Sequence, residues 1–127
     1  MLSITPIYAG LLGLMYVALS AMVITQRRSN KVSYGDGGNS NMLKAMRTHS
    51  NFAEYAPFAL LLIAMVELQG AGVLILNLLG LCLLAGRVLH AYGFGRNPQI
   101  VVLRQIGMVL TFTVILVAAL TNIVMAL

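Results

Sequence analysis

Four long apolar stretches leave this chain almost no choice of fold. They run from about Ile4 to Thr25, Ala45 to Leu68, Gly72 to Phe94 and Ile100 to Leu127. Each has the roughly 20 residues that an α-helix needs to cross a bilayer core. A helix satisfies its backbone polar groups within the segment, as lipid demands. The stretches use most of the 127 residues; 60% of all residues are hydrophobic and only 9% charged. A soluble domain this small needs far more polar surface. The expected fold is one all-α integral membrane domain over residues 1–127, a bundle of four transmembrane helices.

The first stretch does not read as a signal peptide. No Lys or Arg precedes it, and it is longer than the usual apolar core of about 7–15 residues. It is expected to be a retained helix.

The net charge is +5. In a soluble domain that would point to nucleic acid, but here the charges follow topology. Arg27, Arg28, Lys31, Lys44 and Arg47 lie in or beside the first link, and Arg87, Arg96 and Arg104 flank the third. The second link, around Glu67-Leu68-Gln69-Gly70, has no Lys or Arg, and neither does the C-terminus. The positive-inside rule then places the first and third links in the cytoplasm and both termini outside. No nucleic-acid partner is expected. Cys82 is alone, so it forms neither an intramolecular disulfide nor a zinc site, and it reads as a small buried apolar residue. The eight methionines read as core filler, and no metal is expected.

Between the stretches, Ser33–Asn41 is rich in Gly, Asn, Asp and Ser and reads as irregular backbone. It lacks the fixed spacing and Lys-Ser/Thr of a phosphate loop. Asn39, Ser40 or Asn41 is the expected cap of the second helix. Gly70-Ala71-Gly72 predicts a tight turn, and Asn97-Pro98 breaks the chain before the fourth helix. Pro57 removes a donor inside the second helix and frees the Ala53 carbonyl. Ala9 and Gly13 form a small-xxx-small pair of the kind found where membrane helices approach closely.

The chemistry is concentrated in Arg47-Thr48-His49-Ser50-Asn51-Phe52-Ala53-Glu54-Tyr55-Ala56-Pro57. Polar and ionisable groups in a bilayer helix are costly and usually face protein or a wet cavity. Arg47, Asn51 and Glu54 are spaced i, i+4, i+7, which puts them on one helix face, with Tyr55 and Phe58 near the same stripe. His49 points roughly opposite Asn51. Arg87 and His90 share a face of the third helix, and Arg104 lies near the start of the fourth. Span order brings these groups to one side of the membrane. Several guanidiniums, an amide, an imidazole and one carboxylate suit a small ligand with more than one carboxylate and an ammonium. Blander roles compete. Arg47 and Arg104 could snorkel to the interface, Arg87 could pair with Glu54, and Glu67 could be a solvated end charge. Four helices have little interior of their own, so self-association would help to enclose the polar face.

Arg47-x-His49-x-Asn51-x-x-Glu54, followed by Pro57, resembles the second-helix signature of the MAPEG proteins, the membrane-associated proteins in eicosanoid and glutathione metabolism. Arg87-x-x-His90 resembles the third helix of that family, and Arg104 the arginine that opens its fourth. The Gly35-Asp36-Gly37-Gly38 loop is most similar to the small bacterial members. The resemblance implies a left-handed four-helix bundle assembled as a homotrimer in a bacterial inner membrane, surrounded by membrane lipids. It implies glutathione as co-substrate, bound between subunits on the cytoplasmic side by Arg47, Asn51, Glu54, Arg87 and His90. Arg104 would be the catalytic residue, stabilising the thiolate that attacks a lipophilic electrophile or reduces a lipid peroxide. Departures fall at the thiol end. Ser50 stands where several catalytic members carry a second arginine, Phe94 where they tend to have tyrosine, and Gln105 and Met108 where some have serine and tyrosine. A non-catalytic, lipid-binding member is therefore the alternative. A small multidrug exporter is a third reading; such proteins typically carry a glutamate in helix one, and none is present here.

Overall fold

The computed structural model describes residues 1–127 as four helices: α1 Thr5–Asn30, α2 Ser40–Leu68, α3 Val73–Gly95 and α4 Val101–Ala126. All four are long and apolar enough to cross a membrane. α2 and α3 pack on each other, and both α1 and α4 pack on the two of them, whereas α1 and α4 do not meet. The shared core includes Leu12, Phe52, Ile63, Leu79, Leu83 and Val114. The remaining faces carry exposed Leu, Ile and Val, such as Leu14, Val17, Leu74 and Leu120, as lipid contact requires.

The ends of α1 and α2 beside the first link lie outside the expected apolar limits. α1 continues past Thr25 because Gln26, Arg27 and Arg28 sustain a helix without being apolar. Lys31, at φ 54°, then closes it by donating its N–H to the carbonyls of Arg27 and Arg28. The Arg27 guanidinium donates to the Gly35 carbonyl at 3.0 Å, a cation placed where helix carbonyls end. α2 begins at Ser40 because Asn39 caps it, its side-chain oxygen accepting from Met42 N–H at 3.0 Å. α2 is continuous through Pro57. Gly70, at φ 90°, turns the chain into α3, with its N–H on the Glu67 carbonyl at 2.9 Å. The Lys44 ammonium donates to the Arg96 carbonyl at 3.1 Å, tying the start of α2 to the end of α3.

Glu67 is not a solvated end charge. It is buried, and its carboxylate accepts from the backbone N–H groups of Ser3, Ile4 and Thr5 at 2.6, 2.7 and 2.7 Å. α1 has no side-chain cap of its own at Ile4, and Pro6 has no N–H to satisfy. A carboxylate from the far end of α2 thus takes the donors that an N-terminal cap would take.

Close approach between helices occurs at glycines other than the expected pair. A Cβ on Gly107 would lie 2.5 Å from the Gly86 carbonyl oxygen and 2.6 Å from His90 N, and one on Gly93 would lie 2.8 Å from Arg104 N. These contacts let the α3 and α4 backbones touch. Gly13, by contrast, has nothing within 4 Å of its added Cβ. With Ala9 it lines an apolar groove of about 270 Å³ between α1 and α2.

Candidate functional site

The close crossing of α3 and α4 sets Arg87 at the centre of the polar interior. Arg87 is 1% exposed. Its Nε donates to Thr111 Oγ1 at 3.0 Å, one terminal nitrogen to Asn51 Oδ1 at 2.6 Å, and the other to Met108 Sδ at 3.2 Å. Thr111 donates its own proton to the Gly107 carbonyl at 2.8 Å, so towards Arg87 it can only accept. Tyr55 lies beneath the guanidinium, 5.9 Å from ring centre to Cζ, and its ring meets Phe112 edge-on at 5.4 Å. Arg87 thereby joins α2, α3 and α4. Its partners are neutral, and Glu54 is not among them. Leaving one charge in the interior without a counter-ion is costly, so the hydrogen bonds around it must be well made.

Helix periodicity explains why Glu54 lies elsewhere. The buried face of α2 carries Met42, Ala45, Thr48, Phe52, Ala56, Ala59 and Ile63. Arg47 and Glu54 fall on the opposite side and are exposed, as are Phe58, Leu61 and Met65 beyond them. Asn51 sits at the border, half-buried, with its amide oxygen turned inwards to Arg87. The i, i+4, i+7 stripe is therefore present and points away from the chain's own core.

His90 is buried on α3, against the Gly107 backbone and 5.9 Å from the Phe94 ring. Arg104 is exposed at the start of α4. Its guanidinium lies over the Phe94 ring at 4.4 Å and donates to Gln99 at 3.2 Å. Phe94 thus links Arg104 to His90. Arg104, Gln105, Met108 and Phe112 line an open depression of about 660 Å³ along α4. Met108 reaches both ways, lining this depression while its sulfur accepts from Arg87. Within the chain, then, Asn51 meets Arg87, and His90 and Arg104 flank Phe94. Arg47 and Glu54 stand apart on the outer face of α2.

His49 faces α1, opposite Asn51, as its spacing requires. Ser20 donates to the Tyr16 carbonyl at 2.9 Å, so its oxygen accepts from His49 Nε2 at 3.0 Å. Tyr16 stacks on both His49 and Phe52, at 4.9 and 5.5 Å. His49 is thus a clamp between α1 and α2. Thr111, which holds Arg87, was not singled out from the sequence. It lies on the buried stripe Gly107, Thr111, Val114, Ala118 and Asn122 of α4, a three-to-four-residue spacing of mostly small side chains that could have marked it. Asn122 closes the far end of that stripe, donating to the Leu62 carbonyl at 2.9 Å and accepting from Gln69 at 2.7 Å.

The chain is 36% identical over 119 residues to the inner membrane protein YecN of Escherichia coli strain K12, covering 94% of this chain and 89% of that protein. YecN of Escherichia coli O6:H1 matches to the same extent. The family model that matches, over residues 5–124, is that of the MAPEG family. With that match over residues 5–124 and four membrane-length helices, the chain belongs to the MAPEG family.

Proposed function

We propose that this protein is an inner-membrane glutathione-binding protein, acting as a transferase or peroxidase on lipophilic electrophiles. The observation that carries this reading is the stripe of exposed Arg47 and Glu54 with half-buried Asn51 between them, on a helix otherwise apolar enough to span a bilayer. Hydrocarbon is a poor medium for those groups. A homotrimer in which neighbouring subunits cover that face would enclose them and build a site between chains. Glutathione offers two carboxylates and an ammonium, the complement of guanidiniums, an amide donor and one carboxylate. Arg104, exposed beside the α4 depression, would favour the thiolate over the thiol. In conjugation the thiolate sulfur then forms a bond to the electrophilic carbon as the leaving group departs. The likeness to an inner membrane protein supports that location. The distribution of Lys and Arg supports cytoplasmic first and third links with both termini outside.

The test is purified protein in mild detergent, heated with and without glutathione and then assayed for conjugation of a generic electrophile. Thermal stabilisation together with turnover is the expected result. Binding without turnover would favour a second reading, a non-catalytic lipid-binding MAPEG protein. One observation speaks for that alternative: the ring under Arg104 is Phe94, which brings no hydroxyl to a thiol. Neither binding nor turnover would count against both. An exporter reading has less support, since α1 carries no acidic residue.

A further inference from the structure

We propose that Arg87 is a positioning residue that locks the Asn51 amide with its oxygen inwards, so that Asn51 meets a ligand only as a hydrogen-bond donor. A guanidinium has donors and no acceptor. The 2.6 Å contact from Arg87 therefore requires the amide oxygen of Asn51; a flipped amide would set two donors against each other. Arg87 has no freedom to follow such a flip. Thr111 holds Nε, Tyr55 lies beneath the guanidinium, and Gly86 and Gly107 press α3 against α4 on either side. The Asn51 NH₂ has no partner within the chain and lies at the edge of the exposed stripe, between Arg47 and Glu54.

Along the outer face of α2 the stripe then reads donor, donor, acceptor over about 10 Å, from seven residues at the helical rise. The matching ligand places two acceptor oxygens opposite Arg47 and Asn51 and a cationic donor opposite Glu54. That pattern describes a zwitterionic ligand such as a peptide or amino-acid derivative and does not suit a lipid whose headgroup carries no charges. The role of Arg87 depends on the glutathione reading only for the ligand's identity.

The decisive variant is Asn51→Asp, which keeps the side chain's shape, gives the buried guanidinium the anion it lacks, and removes the outward N–H groups. Without ligand it is expected to melt at or above the wild-type temperature. The stability lost in Asn51→Leu is expected to vanish in an Arg87→Met background, or in Arg87→Lys if the methionine variant does not assemble. Glutathione affinity of folded Asn51→Asp is expected to fall roughly tenfold or more, since a hydrogen bond to a charged ligand group is lost and repulsion replaces it. Equal or tighter binding by Asn51→Asp would overturn the assignment, because the amide would then be offering its oxygen to the ligand. Additive melting shifts at positions 51 and 87 would overturn it as well. If the wild type takes no glutathione, the ligand assignment fails and the melting cycle alone decides the amide's orientation.

Discussion

Glu67 and Arg87 are both buried charges, yet their surroundings set them different tasks. Glu67 receives three backbone N–H groups at the start of α1. Glu67→Gln keeps the size, removes the charge and turns an NH₂ towards at least one of those donors. It is expected to cost about 2 kcal/mol, the scale of a charge-assisted hydrogen bond, read as a lower unfolding midpoint in detergent. An unchanged midpoint would mean that α1 does not need this cap. Arg104 differs again, being exposed over Phe94. Arg104→Leu is expected to leave glutathione affinity nearly intact while the thiolate absorbance of bound glutathione near neutral pH fades, along with any conjugation. A full thiolate band in that variant would make Arg104 an interfacial anchor only. Period alone placed His49 opposite Asn51 and set Arg47 and Glu54 on one face. The Glu67 cap was beyond such reading, because Ser3 and Glu67 meet only when α1 and α2 pack and 64 residues separate them.

Among the elements, the α3–α4 pair is the most tightly specified, because Gly86, Gly93 and Gly107 bring two backbones into contact. Gly107→Ala would force its methyl into the Gly86 carbonyl and the His90 backbone. A loss of about 1–3 kcal/mol is expected, as for other overpacked sites, and Arg87 and His90 would shift with α3. Gly10→Ala, with nothing within 4 Å, is expected to leave stability unchanged or raise it by up to about 1 kcal/mol, because Ala favours a helix over Gly. Similar losses in the two variants would contradict the described packing. The four spans were legible from hydropathy, because lipid imposes length and composition on a helix before any packing is known. The choice among glycines was not. Ala9–Gly13 and Gly86–Gly107 look alike as small residues until it is known which faces meet. The ends beside the first link were obscured for a related reason: Gln26-Arg27-Arg28 and Ser40-Asn41 are helical without being apolar.

For the whole molecule, the arrangement of helices gathers Lys44, Arg96 and the first link at one end and Glu67 with the N-terminus at the other. Cysteines introduced at Asp36 and Gln69 in a Cys82→Ala background are expected to label from opposite sides of intact cells, Gln69 from outside. External labelling of Asp36 would invert the orientation proposed from the basic links. A subunit that leaves Arg47 and Glu54 on its surface also predicts an assembly that covers them. Native mass spectrometry in mild detergent should give a trimer, and only monomers or dimers would contradict it. The proposed glutathione site on the outward stripe of α2 stands or falls with Glu54, which is exposed and which no group of its own chain depends on. Titration of glutathione into wild-type and Glu54→Gln protein should show equal melting temperatures without ligand. It should also show a loss of affinity worth about 2–5 kcal/mol in the variant. A well-folded Glu54→Gln that binds glutathione as tightly as the wild type would contradict the claim.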